Sequence, residues 1–544
     1  MVTLPVVGAP ASRLVGDGRI DVWNHAWGFH WVATTLAHGT LPWFTTQVGG
    51  PDGGVLYFID LWGALWATPL TLLFGPAVGY NAVMVGRVAL AGLGGQLLAE
   101  QLTGRGAHTL LAGVGCATAP FLLAELGNGI SEVAGIGWVA LALWGCARAL
   151  DRDRPRDFAL AGLLAGAAAA VSFYYGLVAA TLVGVAALAG AATSWRRGAS
   201  VASRAVRLGA LAAPAAALAL PPWLAFRASL AHPAALIRRP PALDAALLDH
   251  NAVDPRVFVT PGDFVSVDLA AVYGEPFVHT GYLRWTVLAL AALGVVAALR
   301  AGRRGLAGWA GLAALSVAMG LGNQLFWAGD WVTVGGWRLT LPFGLLRQVL
   351  PQVAITHPLR LSVGAQVLLP ALAAAGGAVV VRRLGAGAVP ALAALIAAEG
   401  LWGSAAPWPI PTSDATVPAL YDDAPAGMVL DLPVEAGTGM QTSRWFWYQT
   451  VHDRPVPWTP DVRLGSARDA ALLRILGDPR GRGPATEAPH PLDAAAVAHL
   501  RRHYGLIVLH TDVAPAPLAQ AYSDALTHAF GPPQADGPRR IWRP

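Results

Sequence analysis

The sequence has no lysine, only two cysteines, and charged side chains at 13% of its 544 positions. A soluble enzyme of this size carries roughly twice that charged fraction, so an ordinary water-facing surface is excluded. Cys116 and Cys146 both lie inside apolar runs, which rules out a disulfide scaffold and offers no metal-ligand spacing. A hydrophobic share of 55% excludes an intrinsically disordered chain. Because lysine is absent, all 37 basic residues are Arg, and they set the formal charge of +5. They stand between apolar segments and not on one face, which points to membrane topology and away from a nucleic-acid partner.

Long apolar stretches recur until about residue 402 and then stop, so the chain divides into 1–402 and 403–544. The expected fold is mainly α. It comprises a polytopic helical membrane domain with about ten to eleven transmembrane helices, followed by a small C-terminal α/β domain. Expected spans are 79–103, 107–124, 129–150, 158–173, 176–193, 206–225, 283–300, 306–322, 361–381 and 384–402. Alternate connections are basic: Arg105; Arg148, Arg152, Arg154 and Arg156; Arg196, Arg197, Arg204 and Arg207; Arg300, Arg303 and Arg304; Arg382 and Arg383. The positive-inside rule assigns these to the cytoplasm, in the inner membrane of a cell envelope. The first loop 15–78, the loops 226–282 and 323–360, and the domain 403–544 are then outside. The apolar run 55–75 would invert every later basic loop if it crossed, so it is expected to lie in the outer interface. No signal peptide is legible at the start, and a helix preceding the first loop is expected to be missing or reduced to the remnant 2–7.

Polar residues concentrate in the first loop, where Asp17, Asp21 and His25 recur at i, i+4 among Trp23, Trp27, Phe29 and Trp31. On one helical face they would hold a divalent cation such as Mg or Mn through Asp17 and Asp21, and turn Trp side chains to a sugar ring. Equally, this stretch reads as an interfacial helix with capping Asp residues and belt aromatics. Pro51-Asp52-Gly53-Gly54 is a turn. Glu125 and Glu132 bracket the next turn, where they either line a cavity or snorkel to the interface. Arg87 pairs with a buried carboxylate or a lipid phosphate. Arg347, His357 and Arg360 stand against the positive-inside trend and suit either an anionic ligand or ordinary lipid headgroups. Beyond residue 403, strands are expected at 427–433 and 506–510 and a helix at 494–504. No nucleotide-binding glycine loop, CxxC, HExxH or GxSxG motif is present there. The aromatic run 445–448 reads as a buried strand, as packing on the membrane part, or as a ligand surface.

Taken together, Gly16-Asp17-Gly18-x-x-Asp21 followed by Trp23-Asn24, the Pro51-Asp52-Gly53 turn, the Tyr80-Asn81 helix entry, and Leu346-Arg347 with His357-Pro358-Leu359-Arg360-Leu361 resemble a known group. They look like the large multispan proteins of the GT-C superfamily, of the YfhO-like and uncharacterised bacterial glycosyltransferase-like type. The likeness runs over 15–383, with weaker echoes at 429–433, 452–456 and 504–510. It implies that an acidic residue of the first outer loop acts as base or binds metal beside a polyprenyl-phosphate-sugar donor. By position Asp21 is the first choice for that role and Asp17 the second, with His25 on the substrate side. Arg347 and Arg360 would hold the donor phosphate, with His357 nearby. The implied function is transfer of a sugar from that donor to a glycan, lipid or protein acceptor at the outer face of the cytoplasmic membrane. A lipid-linked glycan flippase or a non-catalytic envelope assembly protein are the alternatives. Kinship of this kind carries fold further than function.

Overall fold

A computed structural model describes residues 4–196, 198, 200–237, 241–261, 278–351, 353, 355–433, 443–459, 470–476 and 492–544. Part of the expected loop 226–282, Arg197, and parts of the expected domain 403–544 lie outside the described residues.

The chain is mainly helical. Among the described residues, five helices are long and apolar enough to cross a membrane: Pro76–Thr103, Ala107–Asn128, Phe173–Arg196, Val201–Ala231 and Pro358–Leu384. The other expected spans fall on helices Ile136–Arg152, Pro155–Val171, Trp285–Arg300, Gly305–Gly320 and Ala388–Trp402, of 17, 17, 16, 16 and 15 residues. At 1.5 Å per residue these reach about 23–26 Å, somewhat less than a hydrocarbon core of roughly 30 Å. The run expected in the interface forms a helix over Leu61–Phe74, 14 residues with Pro69 inside. It too is shorter than a crossing needs.

Five helices position the site. They are α1 (Val22–Ala37), α2 (Leu61–Phe74), α3 (Pro76–Thr103), α4 (Pro120–Asn128) and α5 (Ile136–Arg152). Small residues let α3 and α5 touch: a Cβ on Gly137 would come 2.6 Å from the Ala91 nitrogen, and one on Gly94 would meet Ala140 at 2.9 Å. Such close backbone approach is how apolar helices gain packing where lipid gives no hydrophobic drive. The helix leading into α4 breaks at Thr118–Ala119, ahead of Pro120. There the buried Arg284 guanidinium donates to the Gly115 carbonyl at 2.6 Å and the Thr118 carbonyl at 3.3 Å. A cation thus satisfies carbonyls that the broken helix leaves open.

Two glycines fix how α1 enters. Gly16 (φ 113) and Gly129 (φ 75) both abut Val22, and a Cβ on Gly129 would lie 2.3 Å from a Val22 methyl. Only residues without a side chain permit that backbone conformation and that contact together. A two-stranded antiparallel pair of β1 (Arg13–Val15) and β2 (Thr412–Asp414), in register Leu14↔Ser413, ties this entry to the later part of the chain.

Beyond residue 403 a four-stranded sheet is formed from β3 (Met428–Leu432), β4 (Tyr504–His510), β5 (Gln534–Asp536) and β6 (Arg539–Trp542), in the order β5-β6-β4-β3. β3 and β4 are parallel, with Ile507 opposite Leu430, and β6 runs antiparallel to β4. The aromatic run is a helix and not a strand: α6 (Ser443–His452) buries Trp445, Phe446, Trp447 and Tyr448. It packs on α1, where Trp27 Nε1 donates to Gln449 Oε1 at 2.8 Å and Trp23 lies 6.3 Å from Trp447. Four successive large aromatics were ambiguous in sequence; the tertiary contact with α1 decides the helical form.

Candidate functional site

The turn between α4 and α5 is the hub. Asp17 N–H donates to the Gly127 carbonyl at 2.8 Å and Asp21 N–H to the Asn128 carbonyl at 3.3 Å, so the first loop is pinned to the end of α4. Asn128 then reaches the other way: its Nδ2 donates to the Val278 carbonyl and its Oδ1 accepts from Val278 N–H, both at 3.0 Å. Glu125, one turn earlier on α4, faces the Arg360 guanidinium, with Oε1 and Nε 3.8 Å apart and both side chains buried. The first loop and the Arg360 segment, more than three hundred residues apart, therefore converge on one turn.

Glu125, His250, Asn251, His279, His357 and Arg360 line a small cavity of about 30 Å³. Arg360 also stacks over Tyr174 at 5.1 Å. His357 Nδ1 lies 2.9 Å from the Thr356 hydroxyl and 3.5 Å from the Tyr174 hydroxyl, and its ring is 6.0 Å from that of His279. Burial, and then the adjacent Arg360 charge, pushes His279 down to about 4, so it is a neutral imidazole at pH 7. The pocket thus sets the Arg360 guanidinium beside the Glu125 carboxyl and three imidazoles, of which His279 is neutral at pH 7.

Behind it runs a buried polar chain. Arg87 donates to Asp60 at 3.1 Å; the Ser131 hydroxyl donates to the other Asp60 oxygen at 2.5 Å; His25 Nδ1 lies 3.0 Å from Ser131 Oγ; and His25 Nε2 lies 3.6 Å from Glu132 Oε2. Asp60 also caps α2 by accepting from Gly63 N–H at 3.0 Å. Of the two partners the sequence allowed for Arg87, the carboxylate is present, and it is Asp60. Glu125 and Glu132 are 3% and 6% exposed, which overturns snorkelling for both: each has a buried cationic or imidazole partner.

The predicted residues divide. Asp21 stands half-buried at the start of α1, within electrostatic reach of Glu125. His25 is buried on the same helix, and His357 and Arg360 line the cavity. Arg347 sits on the helix Pro342–Val349 and is not among the cavity-lining residues. Asp17 departs from expectation. The helix begins only at Val22, so Asp17 lies in the preceding turn and not on a shared helical face with Asp21 and His25. Its carboxylate is gripped by Arg19, with Nη2 at 2.6 Å and Nε at 3.1 Å. Burial would raise its pKa, but the Arg19 hydrogen bonds outweigh that and hold the carboxyl below the usual range. Arg19 is itself 70% exposed, so this is a solvent-facing ion pair that a cation at Asp17 and Asp21 would have to displace. Among the described residues no group of three or more His, Cys, Asp and Glu is placed to hold a metal ion. Sequence reasoning missed Asp60, Ser131 and His279; Asp60 was visible only as a lone charge in an apolar run.

No family model and no curated protein matches the chain. Among solved structures it is similar to the oligosaccharyltransferase of Archaeoglobus fulgidus crystallised with Zn and sulfate, at 13% identity over 92% of this chain and 64% of that one, TM-score 0.46. It is similar to the archaeal oligosaccharyltransferase AglB of the same organism in complex with an inhibitory peptide and a dolichol-phosphate, at 14% identity over 92% and 66%, TM-score 0.47. A third is arabinofuranosyltransferase AftD from Mycobacteria, at 15% identity over 100% and 40%, TM-score 0.48. The chain spans about two thirds of the archaeal proteins' length and two fifths of AftD's. At such identities and scores the functional reading rests on the side chains above.

Proposed function

We propose that this is a membrane glycosyltransferase that moves a sugar from a polyprenyl-phosphate donor to a glycan, lipid or protein acceptor at the outer face of the cytoplasmic membrane. The observation that carries the reading is the convergence of the first-loop carboxylate Asp21 and the buried cation Arg360 on the α4–α5 turn, beside a cavity. In this reading the acceptor hydroxyl loses its proton to Asp21 as its oxygen bonds to the anomeric carbon. The bond from that carbon to the phosphate oxygen breaks, and its electron pair leaves with the phosphate. Arg360 balances the charge that develops there, and the imidazoles of His279 and His357 offer hydrogen bonds to it. The apolar faces of the long helices would carry the donor tail in lipid. In this reading the first loop and residues 403–544 lie outside, which the basic connections favour. Arg347, which is not among the cavity-lining residues, fits contact with lipid headgroups better than a hold on the donor. Mg or Mn at Asp17 and Asp21 would displace the solvent-facing Arg19; the steps above are those of the side chains alone.

The test is transfer of label from radiolabelled polyprenyl-phosphate sugars to acceptor by the purified protein in lipid. Asp21→Asn should lower the rate by about 10²–10⁴-fold while leaving membrane insertion intact. An undiminished rate would remove Asp21 from the chemistry.

A further inference from the structure

The buried groups around Arg360 do not balance at a single protonation state once an anion is added. Arg87 and Asp60 close on each other at 3.1 Å and take no part in the count. What remains is one fixed positive charge, Arg360, against Glu125, Glu132 and His25, all buried. Ser131 gives its proton to Asp60, so its oxygen accepts from His25 Nδ1–H, and Nε2 is the nitrogen turned to Glu132. His25 Nε2 and Glu132 Oε2 stand at an ion-pair distance of 3.6 Å, so a proton on either group cancels the Glu132 charge. With one proton on this trio the cluster is neutral; with none it carries a net negative charge. Glu125 Oε2, Glu132 Oε2 and Arg360 Nε reach no hydrogen-bond partner, so the group is built with unspent polar capacity in a low-dielectric place.

An anion meeting Arg360 adds a negative charge beside two carboxylates, and neutrality then requires a second proton on the trio. We propose that an anionic group entering the cavity at Arg360 is taken up together with a proton from solvent, which Glu125, Glu132 and His25 hold. This rests on the reading of Arg360 as the phosphate ligand and adds its regulation. His250 and His357 also line the cavity, so proton uptake that persists in E125Q/E132Q would assign the proton to them and overturn the trio. Asp21, from the start of α1, adds further negative charge and strengthens the demand. Tyr80 spends its hydroxyl on the Val15 and Gly129 carbonyls. Tyr175 donates to the Val133 carbonyl, and Tyr174 shares its hydroxyl with Thr356 and His357. His279 is neutral at pH 7 and faces the anion directly.

The consequence is anion affinity that weakens with rising pH, by about tenfold per pH unit once the trio must draw its second proton from solvent. The probe is a methyl citronellyl phosphodiester, whose own charge stays at minus one across the range. The full chain in lipid nanodiscs is titrated calorimetrically from pH 5.5 to 8.5 in buffers of different ionisation enthalpy. The expected result is uptake of about one proton per bound probe. E125Q/E132Q should bind with little proton uptake, and more tightly than the parent at pH 8.5. Binding by the parent with no proton uptake, or with a flat pH profile, overturns the coupling and leaves Arg360 as the ligand. Probe binding that is undiminished in R360Q overturns the site reading and the coupling together, as does absence of probe binding at every pH. If the double variant does not fold, the buffer dependence of the unmodified protein decides alone.

Discussion

Asp60 has the most demanding position in the molecule, and Asp60→Asn is the perturbation that tests it. The residue is 0% exposed, Arg87 is 5% exposed, and the two lie 3.1 Å apart. At an effective dielectric constant of about 20, two unit charges at that distance attract by about 5 kcal/mol, from which desolvation of both must be subtracted. Removing one charge leaves the other buried without a counter-ion, at a cost of about 3–5 kcal/mol. The amide introduced by Asp60→Asn would also turn a donor towards either the guanidinium or Ser131, breaking the arrangement that orients His25. Arg87→Met alone should cost a similar amount, whereas Asp60→Asn with Arg87→Met should cost far less than the sum. The assay is detergent-driven unfolding followed by tryptophan fluorescence for the parent, both single variants and the double variant. A coupling energy of about 2 kcal/mol or more is expected; additivity within about 0.5 kcal/mol would refute the closed ion pair.

Gln449→Leu should destabilise the contact between α6 and α1 by about 1–3 kcal/mol, because it leaves the buried Trp27 N–H without its acceptor. Adding Trp27→Phe should recover much of that loss in the same unfolding assay. The loop anchored by Asp254 should be acid-sensitive. Asp254 is pushed upward by burial, but the hydrogen bonds from Arg256 and the Ala328 N–H more than offset this and hold it below its ordinary 3.8. Its stabilisation is therefore present above that value and is lost as pH falls through the depressed one. Limited proteolysis with an acid-active protease should open 323–341 only below about pH 4, and Asp254→Asn should open it at neutral pH.

The sequence by itself determined the membrane character and the helical framework. Apolar length is a one-dimensional property: five of the expected spans coincide with helices long and apolar enough to cross a membrane, and the others overlap shorter helices. Arg360, His357 and Asp21 were legible as charges placed where charge is costly. The sequence did not determine their partners. Nothing local distinguishes Asp17 from Asp21, yet Asp21 immediately precedes the helix that begins at Val22 while Asp17 lies in the turn before it, where Arg19 claims its carboxylate. Nothing local marks Asp60 as the counter-ion of Arg87, or Glu125 as that of Arg360, 235 positions away. Pairing of buried charges is decided by which helices pack together, and that packing depends on glycines such as Gly129 and Gly137, whose role is visible only once a neighbour lies where a Cβ would be.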